Sequence, residues 1–460
     1  MPGPAPRPRP VLGRRSFLAA GGAAGLGALG AGAALPAGAQ PGAALVADGT
    51  RFLQTMTSAY PGLADLPRLP QSYADESGLF STAFVYDCAL TVCALLAVGD
   101  RATARVVGDG LLFAQQHDPQ HDDGRLRQAY NVGPYVFYDG VPQPYGLVRP
   151  DQTANIGSQF GFLGTAVGDM AWPGIGLLHL HRSTGDGRYL DGARRIGEWI
   201  LGRAVNPGAL GGFRFGVDAA DQPVPNVSTE HNIDCVAFFR ALGAADPAGR
   251  ARWTEAGRRA RALVEIMWEP AGGYFYTGSD DGSTINRDPL PLDPQTWSWL
   301  ALRDPAYAAS LDWARESLGT TDTPDSPNSQ LPTGVSIRGV TFSDASLSST
   351  AVYNGVPVDP DAVWLEGTAQ LVTALGDRRA PRDAAVAVGL VREIRRAQAR
   401  LGAGQHAGGQ LIRHRGVVSA SSALDTGFGF GYFAYQHTGA TAWAVMGERA
   451  VNPMQVDGLR

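Results

Sequence analysis

Residues 211–234 read GGFRFGVDAADQPVPNVSTEHNID, and residues 272–297 read GGYFYTGSDDGSTINRDPLPLDPQTW. The two stretches overlay at an offset of 61 residues, Gly211 on Gly272. Each runs Gly-Gly, an aromatic-x-aromatic strand, a turn rich in Asp and Gly, an Asn, and then a helix start. A short alternating apolar run closed by turn residues predicts a β-hairpin. A small hairpin is therefore expected to deliver the chain to the top of each of these helices. A looser third copy, GGQLIRHRGVVSASSALDTGFGFGYF, begins at Gly408.

Outward from this pair, six helix starts recur at intervals of 61 to 82 residues. They are YDCAL at Asp87, GDMAW at Asp169, TEHNIDC at Glu230, LDPQTW at Asp293, WLEGTAQ at Glu366 and GATAW ending at Trp443. Repeats at a fixed period set an architecture before local detail does. Between the starts, DGRYLDGARRIGEWIL and WTEAGRRARALVEIMW carry apolar residues at spacings of three and four, opposite an Arg-rich face, and read as an outer layer. DCALTVCALLAVG, CVAFFRAL and GIGLLHLH are apolar nearly all round and read as buried. Six alternations of buried and amphipathic helices predict an all-α fold, an (α/α)6 toroid, with short β-hairpins and the inner-helix starts on one rim. The Pro/Ser/Thr-rich segment from Thr320 to Pro332 is expected to be a long surface loop.

Residues 1–39 are not expected to belong to the fold. Arg14-Arg15-Ser16-Phe17-Leu18 is a twin-arginine element, followed by an apolar Ala/Gly-rich stretch and a small-residue site at Ala37-Gly38-Ala39. That order defines a secretory signal of the Tat type, with cleavage expected after Ala39. The stretch Leu18–Ala34 is Gly-rich and lacks a stop-transfer flank, so no integral membrane span is expected in the mature chain. Residues 40–460 then form one catalytic domain.

Export of residues 40–460 removes four Arg and no acids, leaving 34 basic against 43 acidic residues, a net charge of −9. That excess argues against nucleic acid and anionic membranes as partners. All 38 basic residues are Arg. Schiff-base chemistry, including any pyridoxal enzyme, needs a Lys amine, and the P-loop lysine is missing too. No cofactor is expected, and the chain is expected to act as a monomer. Cys88, Cys93 and Cys235 form an odd set, with buried free thiols as the simple reading and a Cys88–Cys235 bridge as the alternative. A metal site at His117, His121, Asp122 and Asp123 is disfavoured because Pro119 breaks the helix that would align the two His. His179 and His181 read as structural.

The phrase STGDGRYLDGARRIGEWIL, with GDMAW, STEHNID and WLEGTAQ, resembles the six-hairpin glycosidase superfamily over residues 80–450. The resemblance implies an (α/α)6 toroid acting on a carbohydrate and leaves the glycan unspecified.

Glycoside cleavage needs two carboxyl groups flanking the bond, and the candidates are the acids at the helix starts. Glu230 ranks first: Ser228 or Thr229 can cap its helix, and His231 and Asn232 follow it. The bland alternative is that a helix N-terminus favours negative charge. Glu366 ranks second, because Gly367 within a helical phrase implies either close approach of a ligand or close packing. Asp169 can be catalytic or a cap. Asp293 reads as a cap followed by Pro294 at the first helical position, and Asp234, one turn below Glu230, as structural. Trp172, Trp297, Trp364 and Trp443, falling at motif positions, are expected to bind sugar with Tyr86, Asp87, His231, Asn232 and Gln295. Tyr135 and Tyr138 lie nearby.

The expected function is a secreted glycoside hydrolase cleaving a neutral oligo- or polysaccharide by inversion. The alternatives are a polysaccharide lyase on the same fold and a non-catalytic carbohydrate-binding protein.

Overall fold

The computed structural model describes residues 41–136, 140–157 and 163–459. Tyr138 and residues 1–39, the expected signal segment, lie outside these. Among the described residues there are twelve α-helices. Six alternate ones form an inner ring: α2 (Val85–Ala97), α4 (Val167–Thr184), α6 (Thr229–Ala245), α8 (Leu292–Leu302), α10 (Leu365–Arg378) and α12 (Thr438–Glu448). The others stand outside: α1 (Pro41–Thr57), α3 (Arg101–Gln116), α5 (Gly187–Arg203), α7 (Arg250–Ile266), α9 (Ala309–Ser317) and α11 (Asp383–Arg400). Each inner helix packs on the next, α12 packs back on α2, and α1 backs α12, which closes an (α/α)6 toroid.

Composition decides which helix goes where. In α2, every residue from Val85 to Leu95 is buried, so no face is left for water. In α5, Tyr189, Ala193, Ile196 and Ile200 are buried on one face. Burial of Ile196 and Ile200 contributes roughly 1.5–3 kcal/mol each. No described helix is long and apolar enough to cross a membrane.

A sixfold set of backbone bonds ties the rim. The first N–H of each inner helix donates to a carbonyl of the loop or hairpin that precedes the next inner helix: Val85 to Gln128, Val167 to Phe215, Thr229 to Thr277, Leu292 to Phe342, Leu365 to Ser419 and Thr438 to Ser72. These N–H groups have no partner within their own helix. The last bond returns to the beginning of the fold and closes the circle.

A second repeated device pins each hairpin to its own helix. Asn232 Oδ1 accepts from Phe213 N–H at 2.9 Å, and its Nδ2 donates to the carbonyls of Phe213 and Ser228 at 2.9 Å each. Gln295 does the same with Phe275 N–H (2.8 Å) and with the carbonyls of Phe275 (2.9 Å) and Pro291 (3.1 Å). At the equivalent helical position, Met170 Sδ accepts from Leu126 N–H, Thr368 Oγ1 from Val340 N–H and Thr441 Oγ1 from Val417 N–H. Asn232 and Gln295 are thus fully buried clamps on the backbone rather than ligand-binding amides.

These clamps also correct the alignment of the two hairpins. Phe213 corresponds to Phe275, an offset of 62 rather than 61 residues. The same offset relates Gly216 (φ 141°) to Gly278 (φ 151°), where a Cβ would stand 2.0 and 2.1 Å from the carbonyl oxygens of Thr165 and Val227. Strands therefore pair between neighbouring repeats as well as within them, 227–228 with 278–279 and 165–166 with 216–217.

The segment from Thr320 begins as a strand, Gly319–Asp322, paired with Ile337–Val340, and only the residues between are loop. The three cysteines are free and buried, so the Cys88–Cys235 bridge does not form; the two stand at the fourth and seventh positions of their helices.

Candidate functional site

The inner helices present equivalent side chains at successive depths below the rim. At the sixth position stand Trp172, Trp297 and Trp443, with Asp234, Leu90 and Gln370 completing the level. The three indoles meet on the barrel axis, with ring centres 5.3, 5.8 and 6.2 Å apart. All three are fully buried, so they fill the barrel instead of offering a face to a sugar. Trp364 is not their equivalent. It precedes α10, is also buried, and packs on Phe342 (4.7 Å) and Tyr432 (5.9 Å).

Above this floor lies a cluster that joins three helices. Tyr86 accepts a hydrogen bond from Trp443 Nε1 at 2.9 Å and donates to Glu366 Oε1 at 2.8 Å. Gln370, one turn below Glu366, reaches the same oxygen at 3.4 Å. His437, the residue before α12, places Nε2 3.1 Å from Asp87 Oδ2 and Nδ1 3.6 Å from Glu366 Oε2. Its Nδ1 accepts Ala440 N–H at 3.3 Å as the helix cap. In the tautomer whose Nδ1 accepts the cap bond, the hydrogen sits on Nε2 and is donated to Asp87. Tyr73 stacks on the ring at 4.1 Å and 10°. Asp87, Glu366 and His437 are all buried.

Two glycines shape this cluster. Gly439, the second residue of α12, has no side chain where a Cβ would stand 2.6 Å from Asp87 Oδ1. That gap admits the carboxylate to His437. Gly367 is explained by packing: a Cβ there would meet the Trp364 indole at 2.1 Å and Leu292 at 2.4 Å.

Glu230 occupies the second position of α6, equivalent to Glu366 in α10 and Asp293 in α8. Ser228 Oγ accepts His231 N–H at 3.2 Å and caps the helix. Among the five helix-start acids, Glu230 is the one that is not buried. With His231, Asp280, Asn286, Phe342 and Phe430 it lines a cavity of about 130 Å³. Asp169 lies buried at the third position of α4, behind Ala166 as the cap residue. Asp293 is buried and is not a cap, since Pro291 precedes the helix and Pro294 sits at its third position. The ring is harmless there because the first four N–H groups have no intrahelical partner.

His437 and Tyr73 escaped the sequence reading. The signal for His437 was the run TGFGFGYFAYQH (426–437), whose Gly-aromatic alternation delivers rings to the rim immediately before the imidazole; Tyr73 carried none. Tyr135 stacks on Phe80. Asp122 and Asp123 pair with Arg195 and Arg125, and His117 stacks on Phe113. Among the described residues no group of three or more His, Cys, Asp or Glu could hold a metal. His179 and His181 bond to the carbonyls of Pro453 and Asp186.

No protein-family model and no curated protein sequence matches the chain. Solved structures do. A glycosidase variant in complex with glucose superposes with a TM-score of 0.53 at 13% identity, covering 88% of this chain and 97% of that one. A D-mannose isomerase gives 0.54 at 11% identity, over 88% and 95%. A family 76 glycoside hydrolase from a bovine Bacteroides thetaiotaomicron strain gives 0.52 at 10%, over 88% and 77%. At these identities the likeness concerns architecture, and the chain shares with these proteins the (α/α)6 toroid that its six helix starts predict.

Proposed function

We propose that the chain is an exported glycoside hydrolase acting on a neutral oligo- or polysaccharide, with Glu230 as proton donor and Glu366 as the opposing carboxylate. The observation that carries this reading is the equivalence of the two residues, both at the second position of inner helices that flank α8. Placement on helices that are not neighbours favours the wider separation of about 6.5–9.5 Å that leaves room for a water molecule, and hence inversion.

Glu230, at the cavity, protonates the departing glycosidic oxygen. Glu366 takes a proton from the water that attacks the anomeric carbon, with the Tyr86 hydroxyl holding its Oε1 in place through the 2.8 Å bond. Asp169 is held as a third acid at the same rim. The acidic balance of the mature chain favours neutral over uronate substrates. The twin-arginine element supports export.

A second reading, aldose–ketose isomerisation, draws on His437. An imidazole oriented by Asp87 and facing Glu366 suits proton transfer at a carbon beside a carbonyl, and a D-mannose isomerase has this architecture.

One panel separates the readings. Neutral glucans, mannans and arabinans are incubated with the protein and assayed for new reducing ends and for absorbance at about 235 nm, the region of an unsaturated uronate, while free aldoses in D2O are followed by NMR. New reducing ends support hydrolysis. Deuterium at C2 of a free aldose without new ends supports isomerisation, absorbance supports a lyase, and silence in all three with retained binding supports a carbohydrate-binding protein.

A further inference from the structure

A second cavity, of about 160 Å³, opens on the same rim as the Glu230 cavity. The ribbon 428–435 serves both: Phe428 and Phe430 line the first, and Tyr432, Phe433 and Tyr435 line the second. Their chemistry differs. Glu230, His231 and Asp280 line the first, whereas none of the described residues lining the second is charged.

The rings of the second cavity are held in place. Tyr353 sits beside a two-residue turn, Asn354-Gly355, with φ of 52° and 79° closing the hairpin of Val352–Tyr353 on Val356–Pro357. Its hydroxyl donates to Asp425 Oδ1 at 2.6 Å. Tyr73 is fixed by stacking on His437, and Tyr432 by stacking on Trp364. Rigid rings lose little entropy when a ligand arrives.

We propose that this cavity is a second sugar subsite, taking one uncharged pyranose unit of the substrate; the proposal rests on the hydrolase reading for its connection to catalysis. Flat aromatic faces fit the apolar faces of a pyranose, and Gln330, Asn354 and the tyrosine hydroxyls supply donors and acceptors for its hydroxyls. A uronate or phosphate would find no cation among the lining residues. The volume is small against the ~300–1,000 Å³ of pockets for larger ligands, which limits it to one ring. Tyr73 connects it to the reacting cluster through His437 and Glu366.

Isothermal titration of the full chain tests this, using neutral tri- and tetrasaccharides of glucose, mannose and arabinose alongside oligogalacturonides of equal length. The expected result is binding of at least one neutral series and none of the galacturonides, with Kd raised at least tenfold in Tyr353→Ala and Tyr435→Ala. Where a ring variant melts early, Gln330→Ala, at an exposed position, reads the same site and is expected to weaken binding at least threefold. Unchanged affinity in the folded variants, equal affinity for galacturonides, or no neutral ligand at all overturns the proposal. Failure of the hydrolase reading looks different: neutral oligosaccharides bind and Tyr353→Ala weakens them, yet wild type releases no reducing ends.

Discussion

His437 and Asp87 stand 3.1 Å apart, Nε2 to Oδ2, although 350 residues separate them in sequence. Only ring closure brings the last inner helix against the first, and only the missing side chain at Gly439 lets the carboxylate through. The cluster is therefore a product of the whole circle rather than of any one motif.

Gly439→Ala places a Cβ 2.6 Å from Asp87 Oδ1, the far end of a side chain that can turn aside. The carboxylate is expected to leave His437, and kcat/KM to fall about 10- to 100-fold, equal to roughly 1.4–2.7 kcal/mol of transition-state stabilisation. Ala is the better helix former by about 1 kcal/mol, so Tm should hold. A parallel loss of Tm and activity would mean that the glycine serves packing alone.

Asn232→Ala removes three bonds and strands the buried N–H and carbonyl of Phe213. At roughly 1–3 kcal/mol for each of the two stranded groups, urea unfolding should show a loss of about 2–6 kcal/mol, and Gln295→Ala the same. The two clamps share no partner, so the double variant should be close to additive. An effect on substrate affinity with unchanged stability would return both residues to ligand binding.

Asp359 supplies a pH dependence. Burial, reinforced by the Asp322 and Asp361 carboxylates, pushes its acid up from 3.8 to about 6 against the opposing backbone bond from Asp361. A raised carboxyl pKa means that the native state holds the proton more tightly than the unfolded chain. Its stabilisation is complete below about pH 4 and is lost as pH rises through 6. Asp359→Asn should therefore raise Tm more at pH 7 than at pH 4, in paired melting curves. A constant offset across that range would contradict the raised pKa.

His179 acts in the opposite direction. Burial pushes it down from 6.5 to about 4, against the favourable bond to the Pro453 carbonyl. The unfolded chain takes up the proton first, so stability is lost as pH falls from 6.5 toward 4, by about 3 kcal/mol at 1.36 kcal/mol per unit. His179→Gln, which keeps a donor for Pro453, should flatten that acid limb in urea titrations at pH 4.5 and 7.

The fold was legible because it is periodic. Apolar-all-round phrases alternating with Arg-faced ones leave few arrangements other than a double ring, and the hairpin pair exposed the repeat. The roles of individual residues were less legible because they depend on depth. Trp172, Trp297 and Trp443 recur where they do because three indoles fill one axis, and Trp364 shares their composition but not their level. Asn232 and Gln295 look like ligand amides in a linear motif, but their partners are backbone groups 19 and 20 residues away. His437 was announced only by the Gly-aromatic run before it, since its partners Asp87 and Glu366 lie on helices that meet it only in the closed ring.

The most direct test of the central claim is Glu230→Gln assayed for reducing-end release on the neutral substrate that wild type cleaves. The account predicts a loss of turnover of at least a thousandfold, with oligosaccharide binding retained within a few-fold. Near wild-type turnover by that variant would contradict it.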